Sequence, residues 1–232
     1  MKHKERLDVL LVSLGLAESR AKAQATIMAG EVYVNGQKAD KSGMEVDITS
    51  NVEVRGSACP YVSRGGLKLE KAIAAFDDTV EGRVCMDIGA AAGGFTDVLL
   101  KNGASHVYAI DVGYGQFDWG LRNDPRVTLM ERTNARYVTR EQLPLHPTMT
   151  VMDVSFISIK LILPVAAEIM GPEGCFYTLV KPQFEAGRDR VGKKGVVRDP
   201  KVHEDVLMDI VSFAPTFGWQ VKQLAYSPIT GP

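Results

Sequence analysis

The hydrophobic pattern at the start of the chain is helical. Apolar residues recur at helical spacing over residues 7–14, and Gly15 is a typical stop for the helix that this spacing predicts. Ser19 is a typical N-cap residue, so we predict a second helix over residues 20–29, which Gly30 ends.

The pattern then changes to the alternation that is typical of strands. Residues 31–34 predict a short strand, and Asn35-Gly36 is a two-residue hairpin turn signal. A second strand over Val52–Val54 would close a small sheet. Two helices and a few short strands bury only a marginal core. We therefore expect a small α+β domain over residues 1–60.

Glycine, proline and serine are concentrated at residues 56–66, GSACPYVSRGG. This composition is typical of a segment between domains. We predict a linker over residues 61–67 and a second, larger domain over residues 68–232.

The second domain alternates short apolar runs with helical stretches. The predicted strands are residues 84–88, 106–110, 127–130, 149–152 and 175–180, and the predicted helices are residues 95–101, 158–170 and 201–213. Asp199-Pro200 supplies an N-cap and an N1 proline for the last helix. Such alternation predicts an α/β fold, a Rossmann-like parallel sheet with helices on both faces.

Charge and cysteine content narrow the function classes. The net charge of -1 excludes a globally basic nucleic-acid binder, so any nucleic-acid surface must be local. The first residues lack the apolar run of a secretory signal, and no run of about 18 apolar residues predicts a membrane span. Cys59, Cys85 and Cys175 lie far apart and are expected to be reduced thiols. We therefore expect a cytoplasmic protein without a membrane partner.

A glycine-rich segment, DIGAAAGGF at residues 87–95, leaves the first predicted strand of the larger domain and opens a helix. Its spacing, G-x-x-x-G-G, places Ala91 where a dinucleotide fingerprint has its middle glycine, so the loop suits a ligand without a pyrophosphate. Asp111 ends the next strand, where its carboxylate can accept hydrogen bonds from both ribose hydroxyls of an adenosine. S-adenosylmethionine fits this combination; a packing turn and a dehydrogenase are the alternatives.

Eight residues are expected to form the cofactor site. Asn134 is assigned to the adenine edge because an amide can both donate and accept there. The eight are Asp87, Gly89, Ala91, Gly93, Phe95, Asp111, Asn134 and Asp153.

Asp153 and Lys181 each follow a predicted strand, and the carboxyl ends of such strands line the ligand crevice of an open α/β sheet. An unpaired charge is costly there, so we expect the two to pair. A purely structural salt bridge is the alternative for this pair. Lys68, taken alone, is typical of a solvated helix lysine.

Longer motifs resemble known families. Residues 7–36, with Ser19-Arg20, Gly30 and Val34-Asn35-Gly36, resemble the small RNA-binding domain named after ribosomal protein S-four. SRGGLKL at 63–69, DIGAAAGGFTD at 87–97, DVSFIS at 153–158 and KPQFEAGR at 181–188 are similar to the TlyA family, which carries an FtsJ-like methyltransferase domain and an older label as hemolysins.

The resemblance implies methylation of a ribose 2′-hydroxyl in ribosomal RNA by S-adenosylmethionine. FtsJ-type enzymes use a Lys-Asp-Lys-Glu tetrad, whose first three members correspond by motif to Lys68, Asp153 and Lys181. The family's glutamate follows a Ser-Pro-x-x-Gly-Pro motif, which here is residues 227–232. We therefore expect the methyltransferase domain to be truncated, without that glutamate and without the last, antiparallel strand.

The chemistry of methyl transfer suggests a role for each of the three. The hydroxyl is a weak acid that must lose a proton, so we assign Lys181 as the base. Lys68 is the second cation, which disfavours the protonated form of Lys181, and Asp153 orients both lysines. No metal is needed, because the methyl donor carries its own electrophilic charge.

RNA contacts are expected from two groups of cations that can engage phosphates. One group lies in the small domain and the other in a flexible basic loop, residues 184–199, after Lys181. They are Arg6, Arg20, Lys22, Lys38 and Lys41, and Arg188, Arg190, Lys193 and Lys194. The competing functions are an RNA-binding or ribosome-assembly module with an inactive methyltransferase domain and a membrane-active hemolysin.

Overall fold

The structure is a computed structural model that describes residues 4–54 and 59–229, except for the side chain of Lys193. The chain forms two compact units, Met1–Cys59 and Pro60–Pro232, called the N-terminal and C-terminal units below. Residues 56–58 of the predicted interdomain segment and the last residues of the Ser-Pro-x-x-Gly-Pro motif, 230–232, lie outside the described residues.

In its described residues, the N-terminal unit consists of two helices and five short strands. The helices are α1 (Leu7–Ser13) and α2 (Arg20–Met28), and the strands are β1 (Lys4–Arg6), β2 (Val32–Val34), β3 (Gln37–Lys38), β4 (Glu45–Asp47) and β5 (Val52–Val54). β2 pairs antiparallel with both β3 and β5, and β1 pairs antiparallel with β4. The predicted helices and strands are confirmed. β1, β3 and β4 were not predicted, because a strand of two or three residues is too short to show an alternating pattern of apolar and polar residues.

Local signals in this unit act as the sequence predicts. The Ser19 hydroxyl accepts a hydrogen bond from Lys22 N at 3.3 Å and so caps α2. Asn35 and Gly36 have φ angles of 50° and 80°, the left-handed pair that a tight hairpin turn requires. One face of each helix closes over the sheet, with Leu7 and Ile27 fully buried.

The C-terminal unit alternates strands and helices. The strands are β6 (Val84–Ile88), β7 (His106–Ile110), β8 (Val127–Met130), β9 (Met149–Met152) and β10 (Cys175–Thr178). The helices are α3 (Gly66–Phe76), α4 (Gly94–Lys101), α5 (Trp119–Arg122), α6 (Leu163–Met170), α7 (Pro182–Glu185) and α8 (Pro200–Phe213). Short 3₁₀ helices cover Ala135–Tyr137, Arg140–Gln142, Ile159–Leu161, Arg188–Arg190, Lys193–Gly195 and Ala214–Phe217.

The five strands form one sheet in the order β10-β9-β6-β7-β8, and every pairing in it is parallel. Chain order reverses between β6 and β9, which lie side by side with Ile88 opposite Met152. Open parallel sheets bind ligands at such a switch point, beyond the carboxyl ends of the strands. Gly89 and Asp153 are the next residues of the two strands, so the topology places them together.

Helices cover both faces of this sheet, as predicted. Met86 and Ile88 of β6 pack with residues of α6 and α8, while Cys85 packs on the opposite face with residues of α3 and α4. Alternate side chains of β6 are thus buried in two separate cores, one on each face of the sheet. For this reason the sequence of β6 is apolar almost throughout.

One predicted helix is divided in the structure, and one predicted strand is shorter. The helix predicted over residues 158–170 is divided into the 3₁₀ helix Ile159–Leu161 and α6, because Pro164 in the first turn of α6 has no N–H to continue a single helix. β10 ends at Thr178, two residues before the predicted end.

Residues 61–67, which we predicted as a linker, are part of the C-terminal unit. Val62 N donates to the Asp97 carboxylate at 3.0 Å, and α3 begins at Gly66. A buried carboxylate that accepts this backbone hydrogen bond fixes the segment, so it does not behave as a free connection.

No helix in the described part of the chain is both long enough and apolar enough to cross a membrane. Cys59, Cys85 and Cys175 are all free thiols.

Candidate active site

The glycine loop, residues 89–93, follows β6 and turns into α4. Gly89 and Gly93 have φ angles of 83° and 94°, which L side chains rarely adopt. A Cβ atom on Gly89 would lie 2.7 Å from the carbonyl oxygen of Asp153, so a larger residue there would push β6 and β9 apart. The loop therefore depends on glycine for both its conformation and its packing.

Asp111 joins the glycine loop to the loop that follows β7. Its carboxylate accepts hydrogen bonds from Ala91 N at 2.7 Å and from Gly113 N at 2.6 Å, one on each oxygen. Each carboxylate oxygen has a further lone pair. Asp111 thus organises two loops and can still accept hydrogen bonds from a ligand.

Asp87 is almost completely buried at the end of β6, where only 1% of its surface is exposed. Its Oδ2 atom accepts a hydrogen bond from Thr96 Oγ1 at 2.7 Å, but Oδ1 has no hydrogen-bond partner in the described part of the chain. Burial, with the nearby charges of Asp153 and Asp111, raises the pKa of Asp87 to about 7.

Two other predicted cofactor residues have structural contacts. Phe95 is 8% exposed and packs in the core with Leu69 and Leu99. Asn134 is exposed, and its side-chain oxygen accepts a hydrogen bond from Arg136 N at 3.1 Å as the cap of a 3₁₀ helix. Phe95 thus contributes to the core of the C-terminal unit, and Asn134 caps a 3₁₀ helix.

Lys68, Asp153 and Lys181 converge at the switch point. Lys68 Nζ lies 2.7 Å from Asp153 Oδ2, and Lys181 Nζ lies 2.6 Å from Asp153 Oδ1. Lys181 also donates a hydrogen bond to Ser155 Oγ at 2.9 Å. The three side chains are between 17% and 21% exposed, so the cluster is mostly shielded but remains open to solvent.

Opposing effects act on the pKa of Asp153. Burial favours its neutral form, but hydrogen bonds and charge from Lys181 and Lys68 outweigh burial and hold the pKa below the usual range. Asp153 is therefore ionised at neutral pH. Its contribution to folding is present above the unfolded-state pKa and is lost as the pH falls through the folded-state pKa.

Sequence reasoning missed the contacts that place Lys68. A Cβ atom on Gly94 would lie 2.2 Å from Ser63 Oγ and 3.0 Å from Gly66 N, so only glycine lets the start of α3 pack here. Asp97, 6% exposed, holds Val62 N and pairs with Lys101 at 3.0 Å. An acidic residue among the apolar positions of α4 was the available signal, because such a buried charge requires partners.

Two predicted RNA-binding arginines are held by one buried carboxylate in the N-terminal unit. Arg6 and Arg20 pair with Asp8 at 3.0 and 2.9 Å, and Asp8 is fully buried. Hydrogen bonds from Arg6, together with those from Gln24 and Arg20, hold the pKa of Asp8 far below its usual range. Both arginines therefore have a structural contact, while their side chains stay 46% and 56% exposed.

The other predicted cations of this unit lie on its surface. Lys22 pairs with Glu18 at 2.6 Å across one helical turn, and Lys38 and Lys41 are exposed. Exposed pairs of this kind are weak, so Lys22 can exchange Glu18 for another anion.

The basic loop contains two 3₁₀ turns and an apolar anchor, although we expected a flexible loop. Ala186 and Val197 are buried against Val202 of α8. Arg190 donates to Ala186 O at 2.9 Å and pairs with Asp205 at 3.0 Å, which holds it against α8. Arg188 and Lys194 are exposed, and the side chain of Lys193 lies outside the described residues.

Comparison with known proteins gives two family matches. The FtsJ-like methyltransferase model matches residues 61–232, and the S4 domain model matches residues 5–52.

Individual relatives are similar over nearly the whole chain. A Bacillus subtilis protein provisionally named rRNA methyltransferase YqxC is 54% identical over 98% of this chain and 82% of its own length. The 16S/23S rRNA (cytidine-2′-O)-methyltransferase TlyA of Mycobacterium tuberculosis is 44% identical over 100% of this chain and 87% of its own length. A solved structure from Streptococcus thermophilus, provisionally named a hemolysin, is 48% identical, covers 100% of this chain and 85% of that chain, and has a TM-score of 0.78.

Proposed function

The chain belongs to the FtsJ-like methyltransferase family and carries an S4 domain, and from this we propose that it methylates ribose 2′-hydroxyls of ribosomal RNA. S-adenosylmethionine is the proposed methyl donor. The observation that carries the proposal is the pairing of one carboxylate, Asp153, with two lysines at the switch point of the sheet. The names of the TlyA and YqxC relatives support the choice of ribosomal RNA.

Two features of the glycine loop suit S-adenosylmethionine. The buried Oδ1 atom of Asp87 lacks a partner among the described residues, and a cationic ligand group would supply one. Asp111 can accept hydrogen bonds from ribose hydroxyls because its Oδ2 atom is used once, by Ala91 N. Its Oδ1 atom accepts a short bond from Gly113 N and only a long one, at 3.5 Å, from Gln116 Nε2. We propose that the backbone of Gly89, Ala91 and Gly93 lies in close contact with the cofactor. Phe95, Asn134 and Asp153 are assigned to the wall of the same site. When bound, the cofactor supplies a methyl group on a positively charged sulfur.

The charge balance of the lysine cluster supports a role in proton transfer. With both lysines protonated, Asp153 compensates only one of two positive charges. Loss of one proton leaves a neutral cluster, so one amine can act as a base while the other keeps Asp153 compensated. We assign Lys181 as the base, held by Asp153 and Ser155, and Lys68 as the cation that remains.

The proposed reaction is an in-line displacement. The ribose oxygen forms a bond to the methyl carbon, the carbon–sulfur bond breaks with its electron pair left on sulfur, and the hydroxyl proton passes to Lys181 Nζ. Placement of the two reactants supplies much of the rate in such a reaction, so the chain's main task is to hold the hydroxyl beside this amine.

Exposed cations of each unit would hold the RNA through its phosphates. In the N-terminal unit these are Arg6, Arg20, Lys22, Lys38 and Lys41, and in the basic loop they are Arg188, Arg190, Lys193 and Lys194. The proposed reaction belongs in the cytoplasm, where ribosomal RNA is found.

A methyl-transfer assay with nucleoside analysis tests this function. Ribosomal RNA and labelled S-adenosylmethionine are incubated with the full-length protein, and the digested product is separated into ribose-methylated and base-methylated nucleosides. Ribose methylation is expected; label on bases alone would refute the proposal, because base methylation requires other acid–base groups.

Variants of the cluster sharpen this test. Lys181→Ala and Asp153→Ala should each reduce transfer by about 10²–10⁴-fold, the usual contribution of a general base or its partner, while S-adenosylmethionine still binds. Lys71→Ala, which changes an exposed lysine on α3, is the matched control and should behave as the parent. Binding of cofactor and RNA without any transfer by the parent would instead favour an RNA-binding module.

A further inference from the structure

Glu185 ends α7, the four-residue helix that begins directly after Lys181. Within this short segment Phe184 N donates to Lys181 O, and Ala186 N donates to Pro182 O, both at 2.9 Å. A helix of one turn has little stability of its own, so its position depends on contacts with its neighbours.

The Glu185 carboxylate binds the far end of the serine loop, which we define as residues 153–158. Its Oε2 atom accepts a hydrogen bond from Ser158 Oγ at 2.6 Å, and its Oε1 atom accepts one from Ile159 N at 2.9 Å. Ile159 is the first residue of a 3₁₀ helix, so its N–H has no partner within that helix. Glu185 therefore satisfies a backbone group that would otherwise be left unpaired.

Lys181 binds the near end of the same loop, through Asp153 and Ser155. Both ends of α7 are thus tied to the serine loop, and the ring centroids of Phe156 and Phe184 lie 5.1 Å apart. A shift of the whole of α7 away from the loop would have to break the Glu185 hydrogen bonds as well as the Lys181 contacts.

The serine loop requires such a restraint because its backbone is strained. Phe156 has a φ angle of 64°, in the left-handed region that is costly for a bulky residue. Its side chain is 92% exposed, so burial of the ring does not compensate for the strain. Conformations of this kind persist only where neighbouring contacts enforce them.

We propose that Glu185 is a positioning residue, which holds α7 against the serine loop so that Lys181 stays on Asp153 and Ser155. This inference rests on the proposed role of Lys181 in methyl transfer. Glu185 does not contact the reacting atoms in this arrangement; it acts through the placement of Lys181.

The first test compares kcat for methyl transfer with the dissociation constant for S-adenosylmethionine. Glu185→Ala should lower kcat by about 10- to 100-fold, since displacement of about 1 Å at a reacting group has an effect of that size. Cofactor affinity should stay within about twofold of the parent, because the glycine loop is untouched. Glu185→Gln can still accept from Ile159 N and should restore most of the rate, whereas the shorter Glu185→Asp should not.

The second test does not need transfer activity. Brief acylation with an amine-reactive ester, read by peptide mass spectrometry, measures how freely Lys181 reacts relative to the exposed Lys71. Release of Lys181 from Asp153 should raise its relative reactivity several-fold in Glu185→Ala and less in Ser158→Ala. Glu168→Ala, which changes an exposed carboxylate on α6, is the control and should leave the reactivity unchanged.

The outcomes separate this inference from the proposed function. Parental Lys181 reactivity in Glu185→Ala, or equal losses of kcat and cofactor affinity, would overturn the positioning role. An inactive parent in which Lys181 reactivity still responds to Glu185→Ala would refute methyl transfer but support the positioning role. If Glu185→Ala fails to fold, Ser158→Ala and Glu185→Asp give the same two readouts.

Discussion

Asp111 and Asp87 are two carboxylates beside the glycine loop that have different hydrogen-bond partners. Asp111 accepts backbone hydrogen bonds on both oxygens, whereas Asp87 is buried with one oxygen unpartnered among the described residues. Hydrogen bonds stabilise a carboxylate, and burial without them destabilises it.

Asp111→Ala should weaken S-adenosylmethionine binding by about 30-fold or more, because two charge-assisted hydrogen bonds to the ribose are lost, together about 2–4 kcal/mol. Isothermal titration calorimetry measures the effect. Asp118→Ala is a useful control, since Asp118 caps the nearby α5 without an assigned cofactor contact. An Asp111→Ala protein with parental affinity would remove Asp111 from the cofactor site.

Asp87 should make stability depend on pH. The pKa of Asp87 in the folded protein, about 7, is above the ordinary value of 3.8. Between these two pH values the folded protein binds a proton on Asp87 that the unfolded protein has released. This contribution to the free energy of unfolding therefore falls as the pH rises from about 3.8 to about 7. Urea unfolding of the parent and of Asp87→Asn, at pH values from 4.5 to 7.5 in roughly half-unit steps, measures the difference. The parent should lose stability relative to the variant with rising pH; parallel profiles would show that Asp87 has no raised pKa.

At the scale of elements, Asp78 joins the chain after α3 to the edge strand β10. Its carboxylate accepts hydrogen bonds from Tyr177 OH and Arg83, both at 2.8 Å, and from the Cys175 thiol at 3.4 Å. Burial opposes its charge, but these bonds hold the pKa of Asp78 below its usual range. Replacing the carboxylate would leave several polar groups unsatisfied at once.

Asp78→Ala should therefore lower the free energy of unfolding by about 2 kcal/mol or more, and Tyr177→Phe by about 1 kcal/mol, because Tyr177→Phe leaves the Arg83 pair intact. Both tryptophans, Trp119 and Trp219, lie in the C-terminal unit, so their fluorescence follows its unfolding in urea. Glu168→Ala should change the free energy by less than about 0.5 kcal/mol. Equal effects of Asp78→Ala and Tyr177→Phe would contradict the shared role of Asp78.

At the scale of the whole molecule, we expect the N-terminal unit to contribute to RNA binding and the C-terminal unit to bind S-adenosylmethionine. Deletion of residues 1–59 should weaken RNA binding and leave S-adenosylmethionine affinity unchanged. The slope of log affinity against log salt should fall by about one for each phosphate contact removed. Filter binding over a salt series measures this change.

A double variant of the intact chain is the control for this prediction. Lys38→Ala with Lys41→Ala, in the intact chain, should reduce the same salt slope without a deletion. Loss of cofactor binding on deletion would show that the two units are not independent. Unchanged RNA affinity would place the RNA surface outside the N-terminal unit.

Much of the fold was readable from local sequence. Period, caps and glycine positions predicted both helices of the N-terminal unit and all five strands of the parallel sheet, because these signals act between residues that are close in the chain. The strand-end argument also indicated that Asp153 and Lys181 face the same crevice. Short segments such as β1 and β3 were missed, since their pairing is decided by the partner strand rather than by their own residues.

Only the tertiary structure decided which distant groups meet. The hydrogen bond of Val62 to Asp97, the space that Gly94 leaves for Ser63, and the hydrogen bond of Ser158 to Glu185 all join residues that are far apart in the chain. Periodicity reports which face of an element is buried, but not what is packed against that face. Sheet order and close packing supply that information, because they place the ends of β6 and β9 side by side and leave room for only some side chains between them.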